Sequence, residues 1–265
     1  MRVGERIRKA LEEHVYQSAL WKSVFRHGYP DSDRNRVLVV LSNVFLHLHP
    51  TQVAGHAVRL RYTWCMGGLA AFLFLHLTVS GVFLMFYYRP TPEYAYADMM
   101  ALREDVPLGM FMRNVHRWAA HAMVIVVWLH MLRVFLTGSY KRPREFNWVV
   151  GVALLTLTLL LSFTGYLLPW DQISLWAVTV GSNMVGATPI VGADGPGSSL
   201  LHCGSTQLIH PNNDIRFLLL GGSSVGPAAL VRFYTLHCVF LPLLTVILMS
   251  VHFWRVRKDG FSGPL

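Results

Sequence analysis

Charged residues are scarce in this chain of 265 residues: Asp, Glu, Lys and Arg make up 14% of it, against about 25% in a soluble domain. Hydrophobic residues make up 53%, so the composition excludes a disordered chain and an ordinary cytosolic protein. Acidic residues are fewer than basic ones, 14 against 23. Cysteine is rarer still, and three residues exclude a disulfide scaffold.

The hydrophobic residues are concentrated in long uncharged runs. Three runs exceed the roughly 20 residues that a helix needs to cross a bilayer: Thr63 to Tyr88, Asn147 to Trp170 and Phe233 to Trp254. A further run, Trp118 to Leu132, reaches spanning length when its helix begins near Met110. We therefore predict an all-α integral membrane protein, a four-helix bundle with spans at about residues 63–88, 110–137, 147–169 and 232–255.

Residues 1–62 form a basic extension in this interpretation. Glu5 to Phe25 has apolar positions loosely on one side, which predicts an amphipathic surface helix. Val37 to Leu48 is too short to span, and we expect both segments to lie on the membrane face. The start of the chain has no apolar segment of the kind found in a secretory signal peptide.

The basic residues indicate how the spans are oriented. Ten of the 23 Lys and Arg residues precede the first span, three lie between the second and third, and three follow the fourth. Sixteen therefore fall on one side if the four helices alternate, and by the positive-inside tendency both termini lie on the cytoplasmic or equivalent negative side. Topology thus accounts for the basic excess, and nucleic-acid binding is not needed to explain it.

The long loop at 171–231 faces outward in this topology, within one membrane domain at 63–265. It contains an insertion near 192–213 and two amphipathic stretches that predict surface helices, Ser174 to Val185 and Ile215 to Leu220.

Four histidines fall at two matched depths. His116 and His130 are 14 residues apart on the second span, within about 40° of one face and about 21 Å apart along the axis. His237 and His252 are 15 residues apart on the fourth span, within about 60° and about 22 Å. Both spans run inward, so His116 is level with His237 and His130 with His252. An imidazole on each side of a porphyrin leaves no open coordination position, which predicts two stacked bis-histidine haems and electron transfer.

A purely structural role accounts for these histidines less well. A buried ring satisfied by hydrogen bonds explains a single histidine equally well, but not two level-matched pairs, because each unpaired imidazole in lipid is costly. His76 and His121 face other directions, and we interpret them as packing residues.

Glycines on the other two spans repeat the same spacing. Gly67 and Gly81 on the first span are 14 residues apart, as are Gly151 and Gly165 on the third. Gly67 and Gly151 share the inner depth, and Gly81 and Gly165 share the outer one. A haem edge between four helices needs a missing side chain where it meets the other two backbones. Close helix packing is the alternative role for small residues.

Two arginines lie one helical turn from a histidine. Arg113 is three residues from His116, and Arg133 is three residues from His130. A guanidinium can make a bidentate contact with an anionic haem propionate, and snorkelling toward the membrane surface is the alternative.

The sequence resembles a known family, the four-helix cytochrome b6 type of the quinol-oxidising bc and b6f complexes. The similarity begins near His56 and is interrupted in the outer loop. It is carried by seven motifs: Trp64-Cys-Met-Gly-Gly, Arg113-Asn-Val-His-Arg-Trp, His130-Met-Leu-Arg, Lys141-Arg-Pro-Arg-Glu, Gly165-Tyr-Leu-Leu-Pro-Trp-Asp-Gln, Gly221-Gly-Ser-Ser-Val-Gly and Arg257-Lys-Asp-Gly-Phe-Ser-Gly-Pro-Leu.

The resemblance implies a set of cofactors. His116 and His237 would bind the outer, low-potential haem b, and His130 and His252 the inner, high-potential one. It also implies that Cys65 bonds covalently to a third haem, of the c type, which faces an inner quinone site; without the resemblance, Cys65 is only a structural cysteine. Arg257 would then contact that haem's propionate or a quinone head group.

The resemblance also implies partners and a location. The expected partners are a Rieske iron-sulfur protein, a c-type cytochrome and a companion subunit like subunit IV, in a homodimeric complex. The companion subunit would supply the Pro-Glu-Trp-Tyr quinol-oxidation motif, which this chain lacks; Pro92-Glu93-Tyr94 lies in the wrong loop. The extension and the insertion favour a divergent protein of a bacterial energy-transducing membrane over a chloroplast one.

Two questions stay open at the level of sequence. A dihaem membrane anchor of a hydrogenase or formate dehydrogenase also has paired histidines, although it gives no reason for the 14-spaced glycines, and a haem-free transporter or scaffold explains only the hydrophobicity. In the insertion, His202, Cys203 and His210 could form an extra metal site, but a flexible loop that docks on a partner is the favoured interpretation.

Overall fold

The computed structural model describes residues 32–44, 63–203 and 206–262, with a few isolated residues before residue 63. The predicted helix at Glu5 to Phe25 lies outside these continuous ranges. Contacts divide the chain into two units. Residues 59–249 form one unit, and residues up to 58 together with 250–264 form the other.

In the described part of the chain, four helices are long and apolar enough to cross a membrane, which confirms the predicted all-α fold with four membrane-capable helices. They are the first span, Met66–Met85, the second, Gly109–Leu136, the third, Glu145–Leu167, and the fourth, Pro227–Asp259. The fourth span begins earlier than the hydrophobic run predicts, because Pro227 occupies its first turn directly after Gly226. Proline suits that position, since its missing N–H would have no partner there.

Within residues 59–249, consecutive spans are packed against each other: the first on the second, the second on the third, and the third on the fourth. Phe74, Met123 and Val127 form an apolar cluster in the interior. Leu155 and Met249 pack against this cluster from the third and fourth spans.

The loop after the first span contains a helix, Ala95–Glu104, that is held by one buried carboxylate. Asp98 accepts hydrogen bonds from the backbone N–H of Arg89 at 2.9 Å and from its guanidinium at 2.6 and 3.1 Å. These bonds to Arg89 hold the pKa of Asp98 below its usual value. The same guanidinium lies 3.8 Å from the ring centre of Tyr94.

The loop after the third span is also built around capped helices. Asp171 begins the helix Gln172–Gly186 with a reciprocal capping box to Ser174. Asp214 caps the short helix Ile215–Leu220, and its other carboxylate oxygen accepts a hydrogen bond from Ala193 in the insertion at 3.2 Å. A short 3-10 turn, Ser198–Leu200, and a hairpin that pairs His202–Cys203 with Thr206–Gln207 complete the insertion.

The other unit includes the helix Asp33–Ser42, whose first turn is capped by Ser32. This helix overlaps the apolar stretch predicted at Val37 to Leu48. The last turns of the fourth span belong to the same unit, and there Arg255 pairs with Asp259 at 2.8 Å.

Candidate functional site

The outer pair of predicted haem ligands lies close together. The ring centroids of His116, on the second span, and His237, on the fourth, are 6.4 Å apart, with an angle of 77° between the ring planes. Two imidazoles on opposite sides of one metal ion, at about 2 Å per metal–nitrogen bond and about 1.2 Å from nitrogen to ring centre, have centroids about 6 to 7 Å apart. The observed separation therefore fits two ligands of one haem iron.

Each of these imidazoles has a hydroxyl group at its Nδ1 atom. Ser80 Oγ, on the first span, lies 2.9 Å from Nδ1 of His116. Thr164 Oγ1, on the third span, lies 3.1 Å from Nδ1 of His237. Nε2 is therefore the nitrogen that each ring can offer to a metal.

Three of the four predicted glycines lie directly against a histidine ring. A Cβ atom placed on Gly165 would be 2.5 Å from Cε1 of His237, and one on Gly81 would be 3.2 Å from Cε1 of His116. A Cβ atom on Gly67 would be 3.4 Å from Cε1 of His130. The missing side chains thus leave room for the imidazole rings themselves, a closer role than the predicted contact with a haem edge. Gly151 is buried in the third span.

The inner pair is divided between the two units of the chain. His130 is half-buried on the second span, beside Gly67. His252 is half-buried near the end of the fourth span and belongs to the other unit. The pairing of these two histidines stays a prediction.

The fourth span contains a π-helical turn at Leu236–Phe240. The backbone N–H of Leu241 donates to the carbonyl oxygen of Leu236, five residues earlier, instead of the usual four. His237 lies inside this turn. Single π-helical turns are frequent at functional sites.

The predicted arginines are half-buried on the spans: Arg113 and Arg133 on the second, and Arg257 in the last turns of the fourth. Cys65 directly precedes the first span with an exposed side chain and a φ of 52°, a backbone conformation that is uncommon for residues other than glycine. Its Sγ atom lies close to Gly68, where an added Cβ would be 3.1 Å away.

A cleft of about 460 Å³ opens beside the end of the third span. It is lined by Tyr96, Trp170, Asp171, Gln172 and Ile173. Trp170 has a φ of 54°, and strained backbone of this kind is concentrated at binding sites.

The insertion holds no metal cluster among the residues that the structure describes, where no three His, Cys, Asp or Glu residues converge. His210 is exposed, and its backbone N–H donates to Asn213. His202 and Cys203 lie on the first strand of the hairpin.

Comparison with known proteins gives consistent matches. Residues 53–195 match the family model described as Cytochrome b/b6/petB, and residues 206–264 match the one described as Cytochrome b(N-terminal)/b6/petB. The chain is 41% identical over 217 residues to cytochrome b6 of Heliobacterium mobile, covering 82% of this chain and 91% of that protein. It is 44% identical over 202 residues to cytochrome b6 of Gracilaria tenuistipitata var. liui, covering 76% and 85%.

A solved structure, the hyperthermophilic respiratory Complex III, contains a similar chain with a TM-score of 0.67 and 26% identity. The match covers 89% of this chain and 55% of the solved one, so this chain spans about half the length of that relative.

Proposed function

Because the chain belongs to the cytochrome b/b6 family, we propose that it is the dihaem cytochrome b subunit of a Rieske/cytochrome b complex of the bc or b6f type. As one subunit of an oxidoreductase complex, it carries electrons from a quinol-oxidation site on the outer side of the membrane to a quinone-reduction site on the inner side. The observation that carries this proposal is the outer pair, His116 and His237, with ring centroids 6.4 Å apart.

In this proposal the chain's own residues hold two haems b. His116 and His237 bind the outer haem through Nε2, since a hydroxyl group lies at each Nδ1. His130 and His252 bind the inner one. A haem with two histidine ligands supplies one-electron transfer and has no open position for oxygen. Gly81 and Gly165 let the outer rings approach the neighbouring helix backbones.

Charged groups at both levels position the anionic edges of the cofactors. Arg113 and Arg133 lie one turn from His116 and His130, within reach of propionates at the outer and inner levels. Arg257 serves the same purpose, or binds a quinone head group, at the inner end.

Cys65 is the proposed attachment point of a third, c-type haem. Its exposed thiol directly precedes the first span and lies beside Gly68, which has no side chain to obstruct it. Peroxidase staining after denaturing electrophoresis tests this directly: we expect a stained band in the wild type and none in Cys65→Ser. A stained Cys65→Ser band would contradict the attachment.

The cleft beside Trp170 and Asp171 is the proposed border of the outer quinone site, together with the Gly221 to Gly226 segment. The proposed partners are a Rieske protein, a subunit-IV-like protein and a c-type cytochrome, in a homodimeric complex of a bacterial membrane with both chain termini on the negative side. One charge that crosses the membrane is worth about 2.3 kcal/mol per 100 mV, so quinol oxidation can contribute to a proton-motive force.

The ligand assignment is tested by haem content and spectrum. We expect a reduced-minus-oxidised spectrum of the purified protein to show two b-type components. His116→Leu should remove only the outer component and His130→Leu only the inner one, each halving the non-covalent haem per chain. His121→Leu is the matched control, because this exposed ring on the same span stacks edge-on with Trp118 and should leave both haems in place.

Two outcomes would contradict the proposal. The absence of any b-type band would end the haem assignment, and retention of both haems in His116→Leu would end the ligand assignment. Copurification of a Rieske protein separates a bc or b6f complex from the dihaem anchor of a hydrogenase or formate dehydrogenase.

A further inference from the structure

We propose that Ser80 and Thr164 are positioning residues that fix the orientation and tautomer of the outer haem ligands and lower the reduction potential of the outer haem. This inference rests on the proposed ligation by His116 and His237. It concerns two hydroxyl groups on the first and third spans, the helices that supply no haem ligand.

The direction of both hydrogen bonds follows from the helix backbone. Ser80 Oγ lies 2.8 Å from the carbonyl oxygen of His76, four residues earlier, and Thr164 Oγ1 lies 2.8 Å from that of Leu160. A carbonyl oxygen only accepts, so each hydroxyl donates its single hydrogen to the helix. The hydroxyl oxygen is left with lone pairs and must accept from the imidazole, which means that Nδ1 carries the hydrogen in both rings.

This arrangement prepares each ring for a metal. A histidine with its hydrogen on Nδ1 has a free lone pair on Nε2, and the partner of Nδ1 sets which nitrogen binds. The hydroxyl groups favour the same tautomer for His116 and His237, together with the backbone carbonyl groups of Leu77 and Leu161, which also accept from these rings. They also fix the rotation of each ring, because a side-chain hydroxyl bonded to its own helix has little freedom to follow a moving imidazole.

The same contacts affect the electronic properties of the ligands. An acceptor at Nδ1 makes an imidazole a more basic ligand, which favours the oxidised iron and lowers the reduction potential. Both hydroxyl-bearing residues are buried, with Ser80 1% and Thr164 4% exposed, so water does not compete for these bonds. The effect should therefore persist in the assembled membrane protein.

In the sequence, both hydroxyl groups directly precede a glycine of the outer level. Ser80 and Thr164 directly precede the outer glycines, Gly81 and Gly165. The residues that precede the inner glycines are Met66 and Val150, whose side chains have no hydroxyl group. The residues that precede the glycines thus carry hydroxyl groups at the outer level and apolar side chains at the inner level.

Redox titration of the two b-type bands tests the inference. In Thr164→Val, which keeps the side-chain shape and removes the hydroxyl, and in Ser80→Ala, we expect the outer midpoint potential to rise while the inner one is unchanged. The double variant should rise further, and Thr164→Ser should restore the wild-type value. Electron paramagnetic resonance of the oxidised outer haem should shift in the same variants, because ring orientation determines its g-values.

Matched controls are available on the same helices. Thr158→Val removes a buried hydroxyl of the third span that donates to Leu154 at 2.9 Å, and Thr78→Val removes an exposed hydroxyl of the first span that donates to Phe74. Both should leave the outer potential unchanged. A rise in Thr158→Val as large as in Thr164→Val would overturn the inference.

The outcomes separate this inference from the proposed function. If both haems are present but Thr164→Val and Ser80→Ala titrate as the wild type does, the inference is wrong and the ligand assignment stands. Loss of the outer haem alone in Thr164→Val, with both haems kept in Thr164→Ser, supports a positioning role. If Thr164→Val loses both haems, Ser80→Ala provides the test, because it removes only one oxygen atom. A raised outer potential or the loss of the outer haem alone in Ser80→Ala supports the positioning role, and a wild-type titration contradicts it.

Discussion

A methyl group added at Gly165 would lie 2.5 Å from Cε1 of His237 and 3.0 Å from its Nε2. A methyl at Gly81 would lie 3.2 Å from the ring of His116, and one at Gly67 would lie 3.4 Å from the ring of His130, an ordinary contact distance. The space available to an alanine therefore increases from the third span to the first, and this order can be measured.

We expect Gly165→Ala to lose most of the outer haem, Gly81→Ala to keep it with a shifted spectrum, and Gly67→Ala to keep the inner haem nearly unchanged. The reason is steric, since helix backbone and imidazole ring cannot both move away from the new methyl in a packed interior. Haem per chain and the two b-type bands are the measurements. Gly222→Ala is the control, because nothing lies within 4 Å of its Cβ position. Equal haem content in all four variants would contradict the steric explanation.

Residue spacing predicted these glycines, but it did not indicate the hydroxyl groups beside them. Ser and Thr in membrane helices commonly bond back to their own helix, as Thr78, Thr158 and Thr245 do here. Ser80 and Thr164 make the same bond and in addition meet an imidazole. The second contact depends on how neighbouring helices are packed, which a single sequence does not contain.

The π-helical turn at Leu236–Phe240 gives a reason why the histidines of the fourth span are 15 residues apart when those of the second span are 14 apart. A π-helical turn takes up one additional residue with hardly any change in the register of the helix that follows. Two histidines that are 15 residues apart with one such turn between them should therefore have nearly the same relative orientation as two histidines 14 residues apart in a plain α-helix. Hydrophobic periodicity alone could not indicate this turn, because all of its residues are compatible with an α-helix.

Deletion of Val239, a half-exposed residue of this turn, should therefore be tolerated. We expect the fourth span to become α-helical throughout and both haems to remain, each detected by its b-type band. Insertion of one alanine after Val239 is the paired variant, and it should lose a haem because no second π-helical turn is present in the described part of this span to absorb it. If the deletion variant loses a haem and the insertion variant keeps both, the π-helical turn does not determine how the two histidines of the fourth span are aligned.

Hydrophobic periodicity did not indicate the helix Ala95–Glu104 either, for a related physical reason. Its three buried residues are Ala95, Asp98 and Leu102, so one of the positions that faces inward is a carboxylate. That carboxylate is satisfied by Arg89 and interrupts the apolar periodicity that would indicate an amphipathic helix.

The same carboxylate gives the outer loop a pH dependence. Arg89 lowers the pKa of Asp98 in the folded protein below its ordinary value of 3.8, so the stabilisation is complete above about pH 5 and is lost as the pH falls through the lowered pKa. We expect the protection of the Ala95–Glu104 amides against hydrogen exchange, relative to the intrinsic rate at each pH, to fall below pH 4 in the wild type. Asp98→Asn should show weak protection at every pH. Asp105→Asn, an exposed carboxylate just after the helix, should behave as the wild type does. A wild-type exchange profile in Asp98→Asn would contradict this account.

At the scale of the molecule, hydropathy and charge were sufficient to predict the four membrane-capable helices, because bilayer thickness fixes helix length and leaves few alternatives. The two ligand levels are a prediction from the same constraint. What the sequence could not provide is the interior packing between the two levels. There, the residues halfway between the matched positions are all buried: Phe74, Met123, Thr158 and Thr245.

These four residues form a layer between the predicted outer and inner levels, and Phe74 is its largest member, packed with Met123 and Val127. Phe74→Ala should leave a cavity that destabilises the protein by about 2 kcal/mol, less than the 3 to 5 kcal/mol typical of a water-soluble core, because lipid tails solvate apolar groups in the unfolded reference state. We expect haem to be lost at a lower temperature than in the wild type. At room temperature the variant should still hold two b-type haems per chain, with unchanged midpoint potentials. Phe72→Ala, which truncates an exposed ring on the same span, should not lower that temperature. If Phe74→Ala instead shifts both midpoint potentials and leaves the temperature of haem loss unchanged, the layer influences the cofactors and does not stabilise the protein by packing.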